Sequence, residues 1–330
     1  LKNASLFFTD TFSFTQDVNL TIAGRYNDSS IALRDQLGTE LSGDHSYDRF
    51  NSAAGVTWRV NPALQFYANY SESNRVPSPV ELTCADEDAP CALPNAFLSD
   101  PPLEQIVAQT TEAGARGSLQ NFSWHIGAFR TLNKDDILFI SAGELTNRGF
   151  FDNVGDTRRQ GIEVNLNGLV AQRVSWFLNY TLTDAQFLES FRVTSPHNPE
   201  AIDSEIQVER GARIPGIPEH LLKGGIRVSL GANASVTLDA LHQSSQFYRG
   251  DEANVTAPLP GFTTVNAGAE WQINPHLMLF AHVENLFDEN YATFGLFGAP
   301  DEVLGPGYDD PRFVSPAAPL SAWVGFRLTL

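Results

Sequence analysis

Residues able to do chemistry are scattered along this chain, and few of them fall at spacings that suggest a reaction. The sequence contains no Gly-x-Ser-x-Gly, no His-Glu-x-x-His and no phosphate-binding loop, which mark common hydrolases, metalloproteases and nucleotide enzymes. The seven histidines are scattered, and only His242 with Asp239 suggests an acid–imidazole pair. Residues three apart on a strand point to opposite faces, so this pair is a poor catalytic dyad. The sequence therefore gives little support to an enzyme.

Cys84 and Cys91 are the two cysteines, and both lie in one polar segment. The short separation favours a local disulfide, which would place the segment in an oxidising compartment. Two free thiols are the alternative. A metal site is less favoured because no histidine or further cysteine lies close in sequence, and we predict no metal.

Three acidic clusters fall in polar segments. Carboxylate oxygens suit Ca²⁺, but none of the clusters has the spacing of an EF-hand loop. We favour solvated acidic loops over cation sites. The clusters are 86–88, then Asp203, Glu205 and Glu209, and finally Asp301, Glu302, Asp309 and Asp310.

Overall charge and hydropathy exclude two classes of protein. The formal net charge is −18 and the pI is near 4.6, which argues against nucleic acid as a partner because phosphate binding relies on clustered Lys and Arg. No apolar run approaches the ~18–20 residues that a transmembrane helix needs. The mean hydropathy of −0.18 still allows a membrane barrel, whose strands are half polar.

These residues lie in segments of about ten residues in which apolar and polar residues alternate. Ten residues is the length of a membrane-spanning strand. In the closing segment, Leu320 to Leu330, every second residue is apolar. In the segment 264–273, Val265 and Trp271 share one face while Asn266 and Glu270 share the other. Counting such segments predicts about fifteen strands, the weakest being 137–141 and 150–155. A soluble β-sandwich also alternates, so this pattern alone leaves both folds open.

Connection lengths distinguish the two folds. Long connections such as 186–220 and 288–319 alternate with tight turns such as 231–234 and 274–276. Long loops at one end and short turns at the other are typical of an outer-membrane barrel, whereas loops of this length are rare in a compact soluble domain. Aromatic residues near strand ends fit interfacial girdles, with core packing as the alternative: Trp58, Phe66, Tyr70, Phe122, Trp124, Trp176, Tyr180 and Trp271. We predict an all-β, antiparallel transmembrane β-barrel in the bacterial outer membrane.

An odd strand count has a further implication. Bacterial barrels normally have an even number of strands, so we expect the sequence to start in mid-barrel. We treat residues 1–330 as one domain.

Four motifs resemble those of TonB-dependent outer-membrane receptors. Asn285-Leu-Phe-Asp-Glu-Asn-Tyr291 resembles the family's signature in the penultimate strand, and Tyr70 to Leu82 resembles its strand-to-loop element, with Arg75, Pro77, Glu81 and Leu82 matching. The segments 111–117 and 159–164 are similar to two further strand motifs. Each motif alone is weak, but the four occur in the family's order and cover most of the chain.

The resemblance implies a 22-stranded barrel with an N-terminal plug, and we expect the plug, the TonB box and the first strands to lie outside these 330 residues. It implies active uptake of a scarce nutrient, most often a ferric siderophore or another iron complex, driven by the TonB complex. The expected partners are outer-membrane lipid, the plug, the TonB complex and the iron chelate. No cofactor is expected, because the ferric chelate is transported cargo. The alternatives are a passive porin or adhesin barrel and, less favoured, an outer-membrane barrel hydrolase.

Two sets of site residues follow. Charged side chains on the polar face of the strands are expected to line the lumen, where they contact the plug or cargo or, as we favour, pair with one another: Arg59, Glu112, Arg116, Glu163, Arg227, Asp239, Glu270 and Arg327. Aromatic and arginine side chains in or next to the long loops are candidates to grip a planar, anionic chelate: Arg75, Phe247, Tyr248, Arg249, Phe294 and Phe297. Packing of the loops on one another is the equally weighted alternative for the aromatic residues.

Overall fold

The computed structural model describes residues 1–34, 36, 42–82, 91–92, 103–141 and 148–329. Its elements, in chain order, are β1 (Lys2–Ser13), β2 (Val18–Leu33), β3 (Gly43–Asn61), β4 (Leu64–Arg75), α1 (Pro79–Leu82), β5 (Cys91–Ala92), β6 (Ile106–Leu119), β7 (Phe122–Lys134), β8 (Ile137–Ser141), β9 (Arg148–Asn153), β10 (Thr157–Val170), β11 (Val174–Phe187), β12 (Phe191–Thr194), β13 (Glu205–Val208), β14 (His220–Leu230), β15 (Ala234–Gln243), β16 (Phe262–Asn274), β17 (Leu277–Glu284), β18 (Ala292–Phe297), α2 (Pro300–Leu304), β19 (Arg312–Pro316) and β20 (Ser321–Leu328). Neither helix in these ranges is long and apolar enough to cross a membrane.

One antiparallel sheet dominates the part of the chain that the structure describes. It contains thirteen strands in the order β1-β2-β3-β4-β6-β7-β10-β11-β14-β15-β16-β17-β20, so neighbours in the sheet follow one another along the chain. This up-and-down order confirms the predicted fold class, because it is the order in which a membrane barrel is built. The two edge strands are β1 and β20.

The strands divide their side chains between an apolar face and a polar face. Ile226 pairs with Leu238, Leu238 pairs with Ala267, and Val265 lies on the same face opposite Ala240. Asp239 pairs with Asn266 on the other face. The side chains alternate because successive residues of a strand point to opposite sides, and the register is continuous from strand to strand.

The number of strands in the sheet is smaller than predicted, and 137–141 and 150–155 explain the difference. These segments contribute β8 and β9, which pair with each other in a separate sheet, with β5 on the other side of β9, rather than extending the wall. With five and six residues, they are shorter than the ~9–11 residues that a membrane-crossing strand needs. They form a hairpin within one connection.

The connections are long at one end of the sheet and short at the other. The long ones are 34–42, 76–105, 135–156, 188–219, 244–261 and 285–320, and turns of two to four residues join the strands at the opposite end. We call these the loop end and the turn end. The long connections carry two hairpins that the sequence did not predict, β12–β13 and β18–β19.

Aromatic side chains mark the turn end of the apolar face. Trp58 and Phe66 lie 5.9 Å apart between ring centroids, and Phe122 and Trp176 form a similar pair at 5.9 Å. Trp58 is 52% and Trp271 56% exposed, so these rings are not packed in a protein core. Their placement is that of an interfacial girdle.

Buried apolar clusters lie in the connections rather than between the faces of the sheet. One cluster joins β12 and β13 to the end of β11 around Phe187, which is fully buried. A second surrounds Leu82, and a third contains Tyr248, Leu259 and Phe297. The described parts of the long connections thus form packed clusters at the loop end. The predicted disulfide lies outside this description, since Cys84 is not among the described residues and only the backbone of Cys91 is, in β5.

Candidate functional site

All eight charged residues expected to line a lumen lie on the polar face of the sheet, as the strand register shows: Arg59, Glu112, Arg116, Glu163, Arg227, Asp239, Glu270 and Arg327. Several of these side chains have an ion-pair or hydrogen-bond partner in the wall. Arg227 Nη2 lies 2.6 Å from Glu270 Oε2, and Arg116 Nε donates to Gln65 Oε1 at 2.7 Å. Arg227 and Glu270 thus form an ion pair within this set, and mutual pairing of its other members stays a prediction. Contact with a plug or a substrate stays a prediction.

A directional chain of hydrogen bonds crosses this face through Tyr67. The Tyr67 hydroxyl lies 2.6 Å from Glu112 Oε1 and 2.7 Å from His125 Nε2, and Asn165 Nδ2 lies 3.2 Å from His125 Nδ1. Glu112 accepts from Tyr67, the Asn165 amide donates to Nδ1, and so His125 Nε2–H donates to Tyr67. The chain links β4, β6, β7 and β10. Sequence alternation places these residues on one face but does not reveal which of them meet.

Glycines make room for Tyr67 to lie flat. A Cβ atom on Gly127 would stand 2.7 Å from the Tyr67 hydroxyl oxygen, and one on Gly114 would stand 2.6 Å from it. Other aromatic residues of the polar face lie on a directly paired glycine in the same way: Phe129 on Gly161, Phe177 on Gly225 and Phe280 on Gly325. The large rings of this face are therefore kept close to the wall.

Arg75, one of the predicted ligand contacts, is held in a local clamp. Its two terminal nitrogens donate to Glu81 at 2.7 and 3.0 Å. Ser78 N donates to Glu81 Oε2, and Ser78 Oγ accepts from Glu81 N, which is a capping box at the start of α1. Partial burial alone would raise the pKa of the Glu81 carboxyl, but the bonds from Arg75 and Ser78 outweigh it and hold that pKa below its ordinary value. This geometry makes Arg75 a support for the loop, and contact with cargo stays a prediction.

The aromatic residues predicted to grip cargo differ in accessibility. Tyr248 and Phe297 are buried and stack on each other, with centroids 5.3 Å apart, and join two long connections. This packing favours the alternative in which the loop aromatics pack loops together. Phe247 and Phe294 are half-buried and Arg249 is exposed, so these side chains keep a surface from which to contact cargo.

The acidic clusters are only partly within the described residues, since 86–88 lies outside them. Asp310 is paired with Arg312 at 2.6 Å, and this guanidinium holds the pKa of the Asp310 carboxyl below its usual range. Among the described residues, no group of three or more His, Cys, Asp or Glu side chains is arranged to hold a metal ion.

An open cavity of about 540 Å³ lies among β1–β4, toward their loop end. Its lining includes Asn27, Asn51 and Asn74. Above the pair Ala53/Ser71, β3 and β4 have no pairing within the described ranges, and the Asn74 side chain bridges them instead. Its Oδ1 accepts from Asn51 at 2.7 Å and from Asn27 at 2.8 Å, and its Nδ2 donates to Gln105. No sequence pattern predicts this cluster, because isolated asparagines are common in polar strands.

Comparison with known proteins agrees with this architecture. Residues 1–286 match a family model described as TonB dependent receptor-like, beta-barrel. A probable TonB-dependent siderophore receptor, PiuA of Acinetobacter baumannii, is 23% identical over 89% of this chain. The crystal structure of the ferric yersiniabactin uptake receptor FyuA from Yersinia pestis superposes with a TM-score of 0.73 at 15% identity, covering 99% of this chain and 45% of FyuA. The copper transporter OprC superposes with a TM-score of 0.74 at 16% identity, covering 99% of this chain and 47% of OprC.

These matches concern only part of each similar protein. The chain spans 38% of the length of PiuA. The structural likenesses, at 15% and 16% identity, establish the fold.

Proposed function

The chain belongs to the TonB-dependent receptor family as part of its β-barrel, and from this membership we propose that the intact protein imports an iron complex, most often a ferric siderophore, across the bacterial outer membrane. The observation that carries the proposal is the two-faced sheet with long connections at one end. An apolar face suits lipid, a polar face suits a wet lumen, and the loop end supplies a surface for capturing cargo.

The partners follow from the same proposal. Outer-membrane lipid covers the apolar face, and an N-terminal plug fills the lumen and closes it in the resting state. The TonB complex of the inner membrane supplies the energy, because the outer membrane itself has no nucleotide to hydrolyse. The cargo is bound and released unchanged, so the proposed role is that of a receptor and transporter rather than an enzyme.

The cargo class rests on the named relatives. PiuA is called a siderophore receptor, FyuA a ferric yersiniabactin receptor and OprC a copper transporter. All three names describe a metal or a metal chelate as the cargo. Two of the three, a siderophore receptor and a ferric yersiniabactin receptor, describe an iron chelate. We therefore place a ferric chelate first.

Growth under iron limitation tests the proposal. A strain lacking the full-length receptor is complemented with the intact gene, with and without a functional TonB. We expect growth to be restored only when both are present. Restoration without TonB would indicate a passive pore, and no restoration in either background would exclude an iron cargo. Equal outer-membrane levels of the receptor, measured by immunoblot of membrane fractions, are the control.

A further inference from the structure

The apolar face of the sheet becomes polar within one step of the register on five neighbouring strands, β4, β6, β7, β10 and β11. The last apolar row before the change is Ala68, Ala113, Ala128, Ile162 and Leu182. The next row on the same face, two residues closer to the loop end on each strand, is Tyr70, Thr111, Arg130, Gln160 and Asp184. Because lipid chains cover an apolar face, the polar row marks the border between hydrocarbon and lipid headgroups.

Positive charge dominates this face from the polar row to the loop end. On β6, β7, β10 and β11 the charged side chains in that area are Arg130, Lys134, Arg158 and Asp184. Three are basic and one is acidic, so the net charge is +2, whereas the whole chain carries −18. The area is therefore a local exception in an acidic protein.

Two of the three basic side chains are available to a ligand. Arg158 is held in the wall, since its Nη2 lies 3.1 Å from Asp184 Oδ2 and donates to Gln186 Oε1 at 2.6 Å. Arg130 and Lys134 are exposed, and within the described ranges their side chains form no ion pair and no hydrogen bond. The positive charge of the area is thus carried by β7.

The spacing of these two cations suits a ligand with more than one anionic group. Arg130 and Lys134 lie on the same face of β7, four residues apart, which is about 13 Å along a strand. Long basic side chains at a membrane border extend their charged ends to the level of the headgroups. A guanidinium binds a phosphate with two parallel N–H donors, and an ammonium binds it as a compact charge.

The same level of the apolar face has the opposite charge elsewhere. On β2 and β3, Asp28 pairs directly with Asp48 toward the loop end, and the Tyr26 hydroxyl donates to Asp48 at 3.2 Å. Carboxylates at the headgroup level repel phosphates, so an anionic lipid has a preferred position on this wall rather than a uniform affinity for it.

We infer that Arg130 and Lys134 form a binding site for an anionic lipid of the outer leaflet, each taking one phosphate of its headgroup. We call these two residues the headgroup site. A lipid is the occupant because the site continues the lipid-covered apolar face, so that acyl chains can lie over Ala128 and Ile162 while the phosphates meet the two cations. The site goes beyond the proposed function, since it is independent of the cargo that passes through the lumen.

Lipid A in three forms tests the site on the full-length receptor. The forms share their acyl chains and disaccharide and carry two, one or no phosphates. Native mass spectrometry of the purified receptor titrated with each form measures the apparent Kd. We expect each phosphate to tighten binding about tenfold, as for one charge-assisted hydrogen-bonded contact.

Variants at the headgroup site separate the phosphates from the acyl chains. Arg130→Gln and Lys134→Gln should each weaken binding of the bisphosphorylated form about tenfold, and the double variant should bind all three forms equally. Binding of the form without phosphate should stay as in wild type, which also checks that the apolar face is folded. Arg327→Gln is the matched control, because it removes the same charge from an exposed side chain of the polar face.

Three results would overturn the site. They are equal binding of the three forms by the wild-type receptor, an unchanged preference for phosphate in the double variant, and an equal loss of that preference in Arg327→Gln. Inorganic phosphate at the same concentrations should not displace the bisphosphorylated lipid. Displacement would show that the two cations bind phosphate without a lipid and would contradict the lipid as occupant. None of these results bears on TonB-dependent growth, which tests the cargo separately.

Discussion

The Tyr67 hydroxyl meets the imidazole of His125 two strands away, with its oxygen 2.7 Å from Nε2. The reach is possible because the intervening strand presents Gly114 and the strand beyond presents Gly127, neither of which has a side chain to block the ring. Tyr67 is thereby fixed at both sides, by His125 and by Glu112, and the wall is cross-linked by side chains as well as by its backbone ladder.

Adding a methyl group under Tyr67 should destabilise the wall. In Gly127→Ala the new Cβ would lie 2.7 Å from a hydroxyl that its partners hold in place, so we expect a loss of about 1–3 kcal/mol in the free energy of unfolding. Urea unfolding of the intact protein in bilayers, followed by tryptophan fluorescence, measures it. Gly55→Ala is the matched control, since its Cβ would meet Asn69 at 3.4 Å. In a Tyr67→Phe background the cost of Gly127→Ala should shrink, and equal cost in both backgrounds would contradict the steric explanation.

Acid should loosen the segment from Arg75 to Leu82. The pKa of Glu81 is lowered in the folded protein, so its contribution is complete above the ordinary value of ~4.3 and is lost as pH falls through the lower folded pKa. Hydrogen-exchange protection factors of the amides in α1, measured from neutral pH downward, should fall in that acidic range. Glu81→Gln should give low protection that no longer changes with pH, while Glu104→Gln, an exposed glutamate of the same connection, should behave as wild type.

Arginine should be tolerated on one face of β10 and β11 and not on the other. Ile162 is 43% exposed on the apolar face, and Ile162→Arg should cost ~2–4 kcal/mol if this position lies near the bilayer midplane. Thr181→Arg places the same side chain on the polar face directly opposite Glu163, where a carboxylate and water are available. Unfolding free energies in bilayers measure both. A larger loss for Thr181→Arg would mean that the faces are assigned the wrong way round.

The Asn74 bridge between β3 and β4 should be needed for order in the upper part of β3. Asn74→Ala removes the bonds to Asn27, Asn51 and Gln105. The amide nitrogens of Asn27 and Asn51 lose their acceptor, and we expect a loss of about 1–3 kcal/mol. We expect faster amide exchange at Asn51 and Ser52. The neighbouring Ser73→Ala, at an exposed position, should leave exchange unchanged. Unaltered exchange in Asn74→Ala would show that another contact closes this gap.

The features that sequence could predict are those set by local periodicity. Alternation along a strand assigns Ile226 and Leu238 to one face and Asp239 to the other without knowledge of any partner, and the structure pairs them accordingly. Connection lengths are equally local and give the loop end and the turn end. These two properties are enough to identify the membrane barrel.

The features that could not be predicted from the sequence are contacts between segments that lie far apart in the chain. Tyr248 and Phe297 are buried because two connections pack together, and nothing in either segment alone distinguishes such a contact from a binding surface. The segments that form β8 and β9 were predicted to be barrel strands because their residues favour strands. Their short length was the one feature against that prediction. The Asn74 bridge depends on the gap between β3 and β4, which the sequence of neither strand predicts.

Because Tyr248 stacks on Phe297, the epitopes at the loop end depend on the folded arrangement of two connections. Arg249 also forms a parallel backbone bridge with Leu296, so segments far apart in the chain become one contiguous surface. An antibody raised against the folded receptor would recognise a discontinuous epitope drawn from both segments. A synthetic peptide copied from either one would lack half of that epitope, and sera against such peptides should bind the denatured chain better than the intact cell.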